Sequence, residues 1–327
     1  MNAQIFPEQY FQPDQIKLMG VFFPSAMERV FKALNEGQQF VHYCDAAAAA
    51  SMIRNREVWM RNATWMNDSS EITYGIDRLF EAGKGPHGVR LRNMLEAKFP
   101  GFTKHFDGVF ISWLEIFRQE TYITCFTELL EDEELIGRLS MWRAYGAGRG
   151  VAFVVNGGPM LRPSDALKAN SSPVAYLDAA KFNLEFKRIV DNIERELDYL
   201  VPLGKDLIFN NLFSAFRWAI MCTKHPGFKE EREWRAVYQP LYMKSDRLIE
   251  DTQTIGGLPQ RIFKIPLKDY PEEGFYGATV PDLVARIIIG PGPNSDSVRR
   301  EFVRFLHEAD VPDADSKVVI SDVPLRT

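Results

Sequence analysis

An α+β fold, with a mixed or antiparallel central sheet, peripheral helices and a helical insertion, is what the sequence predicts. Two observations lead there. Short strand-like and helix-like runs succeed one another without the regular β-α alternation of a doubly wound sheet. A Gly/Pro/Ser/Asn-rich stretch at 156–172 then precedes two long helical patterns before strand-like runs resume near Trp234. The expected organisation is a lead-in and helix over 1–39 and one α+β domain over 40–322, with a helical insertion at about 156–220. With 327 residues, the chain can bury roughly three quarters of its extended surface without a disulfide or metal to hold it.

Each element has its own signal. Residues 1–23 are rich in proline and aromatics without a period and read as an irregular lead-in. Pro24-Ser25 offers a helix start, Met27, Val30, Phe31 and Leu34 follow at helical spacing, and Gly37 stops the run. Phe40–Cys44 reads as a strand, Asp45 as the cap of an alanine-rich helix to about Asn55, and Val58–Met60 as another strand. The segment Asn62–Glu71 breaks every period and reads as a structured loop, with a helix starting near Glu71. Helical patterns over 87–118 break at Pro100-Gly101. Tyr122–Phe126 is an expected buried strand, Leu139–Tyr145 a short helix and Val151–Val155 a strand. Phe182, Phe186, Ile189, Ile193, Leu197 and Leu200 recur at spacings of three and four, which predicts one long amphipathic helix from Ala179 to Leu200. A more uniformly apolar helix follows over about Asp206–Met221. Trp234–Tyr238, Arg261–Pro266, Arg286–Ile289 and Val318–Ile320 read as strands, and Ser295 caps a helix to about Ala309.

Composition excludes several classes. Forty-four acidic residues against 39 basic give a net charge of −5, which argues against general binding to nucleic acid or anionic membranes. Cys44, Cys125 and Cys222 are odd in number and far apart, so no disulfide framework is expected. The sequence shows neither a signal peptide's basic start and apolar core nor the roughly 18 uninterrupted apolar residues of a membrane span. The expectation is a soluble protein of a reducing cytoplasm.

Candidate chemistry concentrates in Lys224–Arg235. If a strand begins near Glu231, Glu231, Glu233 and Arg235 share one face and Trp234 turns into the core. Two carboxylates so close raise each other's pKa unless a cation intervenes, and Arg235 is placed to do that. Such a group suits binding a polar ligand and stabilising a developing cation, or else forms a solvated charged run on an edge strand. His42 ends a strand before a helix, where a satisfied structural histidine is the commoner case. With Cys44 it invites a metal reading, but no second Cys/His pair at ligand spacing supports one, so no metal is expected. Asn67 and Asp68 sit in a loop that their side chains could tie or offer to a ligand. Ser140, Trp142 and Tyr145 lie on the short helix, where the two rings could pack in the core or wall a planar ligand. The glycines at 146–150 precede a strand, whereas a dinucleotide fingerprint follows one. At Gly290–Asn294 the prolines remove the backbone donors a phosphate cradle uses. No Walker A, HExxH or GxSxG motif is present.

Taken in order, these segments resemble a bacterial family known as domain of unknown function 2971. The match comprises His42-Tyr43 before a helix, the loop Trp65–Glu71, Cys125–Glu128, Met141–Gly146 with the strand Gly150–Phe153, and then Lys224, Phe228 and Glu231–Arg235. It covers about residues 40–290, with Ser69 where that family usually has proline. The layout is in turn similar to that of ADP-ribosyltransferases, in which an early His or Arg holds the nicotinamide ribose, an aromatic stacks on nicotinamide and a late Glu orients the ribose.

That resemblance implies an NAD-using ADP-ribosyltransferase-like enzyme, a bacterial toxin or phage-defence effector with a macromolecular acceptor. Glu233 would serve the ribose, Glu231 would activate the acceptor, and Tyr145 would stack. His42, Tyr43, Asn67, Asp68, Glu71, Ser140, Trp142 and Arg235 would surround the nucleotide. Two alternatives remain open at this point. One is a non-catalytic module binding a nucleotide or partner. The other is a metal-dependent hydrolase or nuclease using Asp68, Glu71, Glu231 and Glu233.

Overall fold

The computed structural model describes residues 10–66, 72–146 and 150–324. Its strands are β1 Gln39–Asp45, β2 Glu57–Asn62, β3 Tyr122–Glu128, β4 Gly150–Asn156, β5 Asn170–Pro173, β6 Ala175–Tyr176, β7 Thr223–Lys224, β8 Glu233–Tyr238, β9 Ile249–Ile255, β10 Leu258–Pro266, β11 Val284–Ile289 and β12 Val318–Ile320. A ten-stranded sheet runs β12-β11-β4-β1-β3-β2-β10-β9, with β8 between β3 and β5 off that path. Among the described residues only β11 and β12 pair in parallel within it, so the fold is α+β with a mixed central sheet. The strands β6 and β7 form a separate parallel pair.

Burial explains the sheet's order. Strand β4 is Val151-Ala152-Phe153-Val154-Val155 at its centre, apolar on both faces, and it lies between β1 and β11. Asp45 caps the helix Ala46–Asn55 by accepting from the Ala48 N–H at 2.7 Å. That helix and Ser295–Glu308 cover one face of the sheet. A second core joins the helices Thr73–Lys84, Pro86–Lys98, Phe102–Gln119, Ala179–Arg195 and Lys205–Met221 on the other side. Gly75 permits one close crossing in it, because a Cβ there would sit 2.1 Å from the Ile220 carbonyl oxygen.

Several sequence expectations are corrected. Residues 13–22 form a helix, started by Pro13 in the first turn. Its Ile16 and Met19 pack on one core and its Leu18, Val21 and Phe22 on the other, so no single apolar stripe marks it. The long helix breaks at Glu196, and a short helix Leu197–Leu203 follows with Pro202 inside it. The polar edge strand β9 carries no apolar signal and pairs with β10 through Gly256 and Gly257, both at positive φ. Ser295 does not cap its helix. The cap position is Asn294, and the Ser295 hydroxyl donates to the Gly290 and Gly292 carbonyls at 2.9 Å each. Cys44, Cys125 and Cys222 form no disulfide. Among the described residues no helix is long and apolar enough to cross a membrane.

Strand β3 is where the sheet opens. It pairs with β8 from Tyr122–Tyr238 to Thr127–Glu233. Its other edge is shared between β1, at Val41–Thr127, and β2, at Arg61–Ile123. The two neighbours diverge between those contacts, and the chemistry gathers at the Thr127 end.

Candidate functional site

Cross-strand partners share a face, so Val41, Thr127 and Glu233 form one row across β1, β3 and β8. Arg235 and its partner Cys125 lie on the same side. Strand β8 begins at Glu233, two residues later than the sequence suggests. Glu231 ends the 3₁₀ turn Pro226–Glu231, and Arg232 adopts φ 43° to redirect the chain. Glu231 therefore reaches the group by a turn instead of a strand's period of two.

Lys224 joins the two carboxylates. Its Nζ donates to Glu231 Oε2 at 2.8 Å and to Glu233 Oε2 at 3.2 Å, and lies 4.7 Å from the centre of the Phe228 ring. Arg235 donates through Nε to Glu233 Oε1 at 2.6 Å and through Nη2 to Glu233 Oε2 at 3.3 Å. The Glu233 N–H donates to the Tyr176 hydroxyl at 2.8 Å. Arg138 fixes the turn from below. It pairs bidentately with Glu133 at 2.7 and 2.8 Å and donates to Thr127 Oγ1 and to the Glu128, Glu230 and Glu231 carbonyls. The Thr127 hydroxyl also donates to the Glu231 carbonyl.

The two carboxyls are driven apart electrostatically. Burial alone would raise Glu233, but the adjacent Arg235 and Lys224 overcome it and hold the carboxyl down to about 2. Glu231 moves the other way: burial raises it, Lys224 only partly opposes, and the Glu233 charge adds to the rise. Glu231 is also the reachable partner, with its side chain 20% exposed against 6% for Glu233. The half-buried Tyr145 adjoins the pair, and burial with the Glu231 charge raises its phenol. It lies in the π-helical turn Trp142–Gly146 and packs, partly buried, against the core cluster that holds Trp142.

The structure brings together Glu231, Glu233, Arg235 and Tyr145 from the sequence reading and separates the others. His42 is registered against Phe153, on the face opposite Tyr43 and Glu233. Its Nδ1 bonds the Cys125 carbonyl at 2.8 Å where β1 leaves β3, its ring touches Phe126, and burial lowers its pKa. That is a structural role. Tyr43 is buried, accepts from the Arg138 N–H at 2.7 Å and packs edge-on against Trp142, with its phenol pushed up to about 12 by burial. Trp142 is 1% exposed and donates to the Ile136 carbonyl, so it fills core and offers no ligand wall. Ser140 is half-buried on the three-residue helix Leu139–Met141. Asn67, Asp68 and Glu71 lie outside the described residues. Among the described residues no three His, Cys, Asp or Glu side chains gather as metal ligands.

Sequence reasoning gave no role to Lys224, Arg138 or Tyr176. Lys224 sits on a two-residue strand and Arg138 in a loop, where no period exists to orient them. The one available signal was the clustering of opposite charges over 224–235.

A family described as "Protein of unknown function (DUF2971)" matches residues 141–236. That span carries Tyr145, Tyr176, Lys224, Glu231, Glu233 and Arg235, and it bears out the expected resemblance there without supplying an activity. No curated protein and no solved structure matches the chain.

Proposed function

We propose that this protein cleaves the nicotinamide–ribose bond of NAD and transfers the ADP-ribosyl group, with Glu231 and Glu233 in separate roles. One observation carries the reading: two carboxyls sharing one lysine are displaced in opposite directions, the pattern that divides acid–base from electrostatic work. Glu233, ionised across the working pH range, stabilises the positive charge that develops at the ribose as the C1′–N bond breaks. Nicotinamide leaves with the bonding electron pair. An acceptor O–H or N–H attacks C1′, and Glu231 takes its proton. Tyr145 supplies an aromatic face beside the pair. His42 has no part, because its strand register turns it to the other side of the sheet.

The test is nicotinamide release from NAD in the presence of water and candidate acceptors. The wild type should release nicotinamide, and Glu231→Gln should slow release about 10²–10⁴-fold while retaining the fold. Intact NAD after prolonged incubation with wild-type protein rejects the proposal. A second reading, a non-catalytic nucleotide-binding module, is favoured by the enclosure of Glu233, whose two oxygens are both engaged by cations. Its mark is stabilisation by NAD without turnover, equal in wild type and Glu231→Gln.

A further inference from the structure

A cavity of about 480 Å³ lies on the opposite face of β3 and β8 from the carboxylates, where Thr124, Phe126 and Ala236 line it. This volume falls in the range of small-molecule sites. Much of its wall is apolar and deformable, including Met19, Met27 and Met52. Arg217, from the helix Lys205–Met221, also lines it.

Arg217 is unlike the other buried cations. Arg138, Lys224 and Arg235 each pair with a carboxylate, whereas Arg217, 7% exposed, has no acidic partner among the described residues. Its Nη1 donates to Gln239 Oε1 at 2.9 Å, and its guanidinium lies 4.1 Å from the Tyr242 ring centre and 5.0 Å from that of Trp218. Gln239 is held in turn by its bond to Thr121 Oγ1 at 2.7 Å. The cation is thus fixed in place, yet its buried Nε has no hydrogen-bond partner among the described residues. Thr124 Oγ1, in a residue 3% exposed, is likewise buried and unpartnered on the same cavity. Burying an uncompensated charge is costly, and burial draws the guanidinium's pKa down. One negative charge at this position would offset the cost. A doubly charged phosphate would exceed what a single arginine balances.

We infer that this cavity binds an amphiphile with a carboxylate head and an aliphatic tail, the head on Arg217 and the tail among the methionines. Titration of the whole chain with dodecanoate and with dodecanol at pH 7, followed by calorimetry, tests it. One dodecanoate should bind per chain, at least tenfold more tightly than dodecanol. Arg217→Met should bring dodecanoate down to the dodecanol level and leave dodecanol unchanged. Met27→Trp, which fills the cavity from a different helix, should weaken both at least tenfold, and this keeps the inference testable if Arg217→Met does not fold. No dodecanoate binding, equal affinity for acid and alcohol, or tighter binding of dodecyl phosphate than of dodecanoate overturns it.

Discussion

Replacing Glu233 with glutamine should destabilise the protein far more than the same change at Glu231. The Glu233 carboxylate receives Arg235 Nε at 2.6 Å and Lys224 Nζ at 3.2 Å, from side chains that are 0% and 5% exposed. After Glu233→Gln, Arg235 still donates to the Met221 carbonyl and Lys224 to Glu231, but the carboxylate that bridges these two buried cations is lost. Removing one partner of a buried ion pair costs about 3–5 kcal/mol. For a chain of this length that lowers the melting midpoint by roughly 4–7 °C. Glu231→Gln removes one bond to a lysine that retains Glu233, so about 1 kcal/mol is expected. Calorimetric melting of both variants at pH 7 decides it. A Glu233→Gln cost below about 1 kcal/mol, or an equal cost at both positions, would refute the electrostatic account. It follows that Glu231→Gln is the cleaner probe of catalysis.

Other outcomes are expected. Glu233 is held down from its ordinary 4.5 to about 2, so its contribution is complete above pH 4.5 and is lost as pH falls through about 2. At about 1.36 kcal/mol per pH unit this amounts to about 3 kcal/mol, and Glu233→Gln should flatten that part of an acid-unfolding curve. Arg138→Met leaves the buried Glu133 carboxylate without its bidentate partner, and urea unfolding should show a loss of about 3–5 kcal/mol. Gly75→Ala drives a methyl into the Ile220 carbonyl and should cost about 1–3 kcal/mol or more. Gly83→Ala, in the same helix with open space at its Cβ, should instead gain up to about 1 kcal/mol from helix propensity.

Much of the fold was legible because single-faced elements announce themselves. The apolar run of β4, the Asp45 cap and the break at Pro100-Gly101 are all local signals, and each stands where the sequence puts it. Elements that serve two environments were hidden. The helix at 13–22 packs on two cores, and β9 on a polar edge shows no apolar period. The site followed the same division. Glu233 and Arg235 were legible from the period of their strand, whereas Glu231 joins them only through the left-handed Arg232 and the Arg138 anchor. His42 lies on the face away from Glu233, and strand parity at a lone histidine cannot be fixed without its neighbours. Its pairing with Phe153 supplied what the sequence lacked.

The division of labour between the two carboxyls is tested most directly by titrating them in the folded protein. Carbon-13 NMR of glutamate-labelled protein, with Glu231→Gln and Glu233→Gln used for assignment, reports each carboxyl separately. Glu233 should stay ionised down to about pH 2, while Glu231 should titrate above the ordinary 4.5. Both carboxyls titrating together near 4.5, or Glu233 above Glu231, would contradict the account.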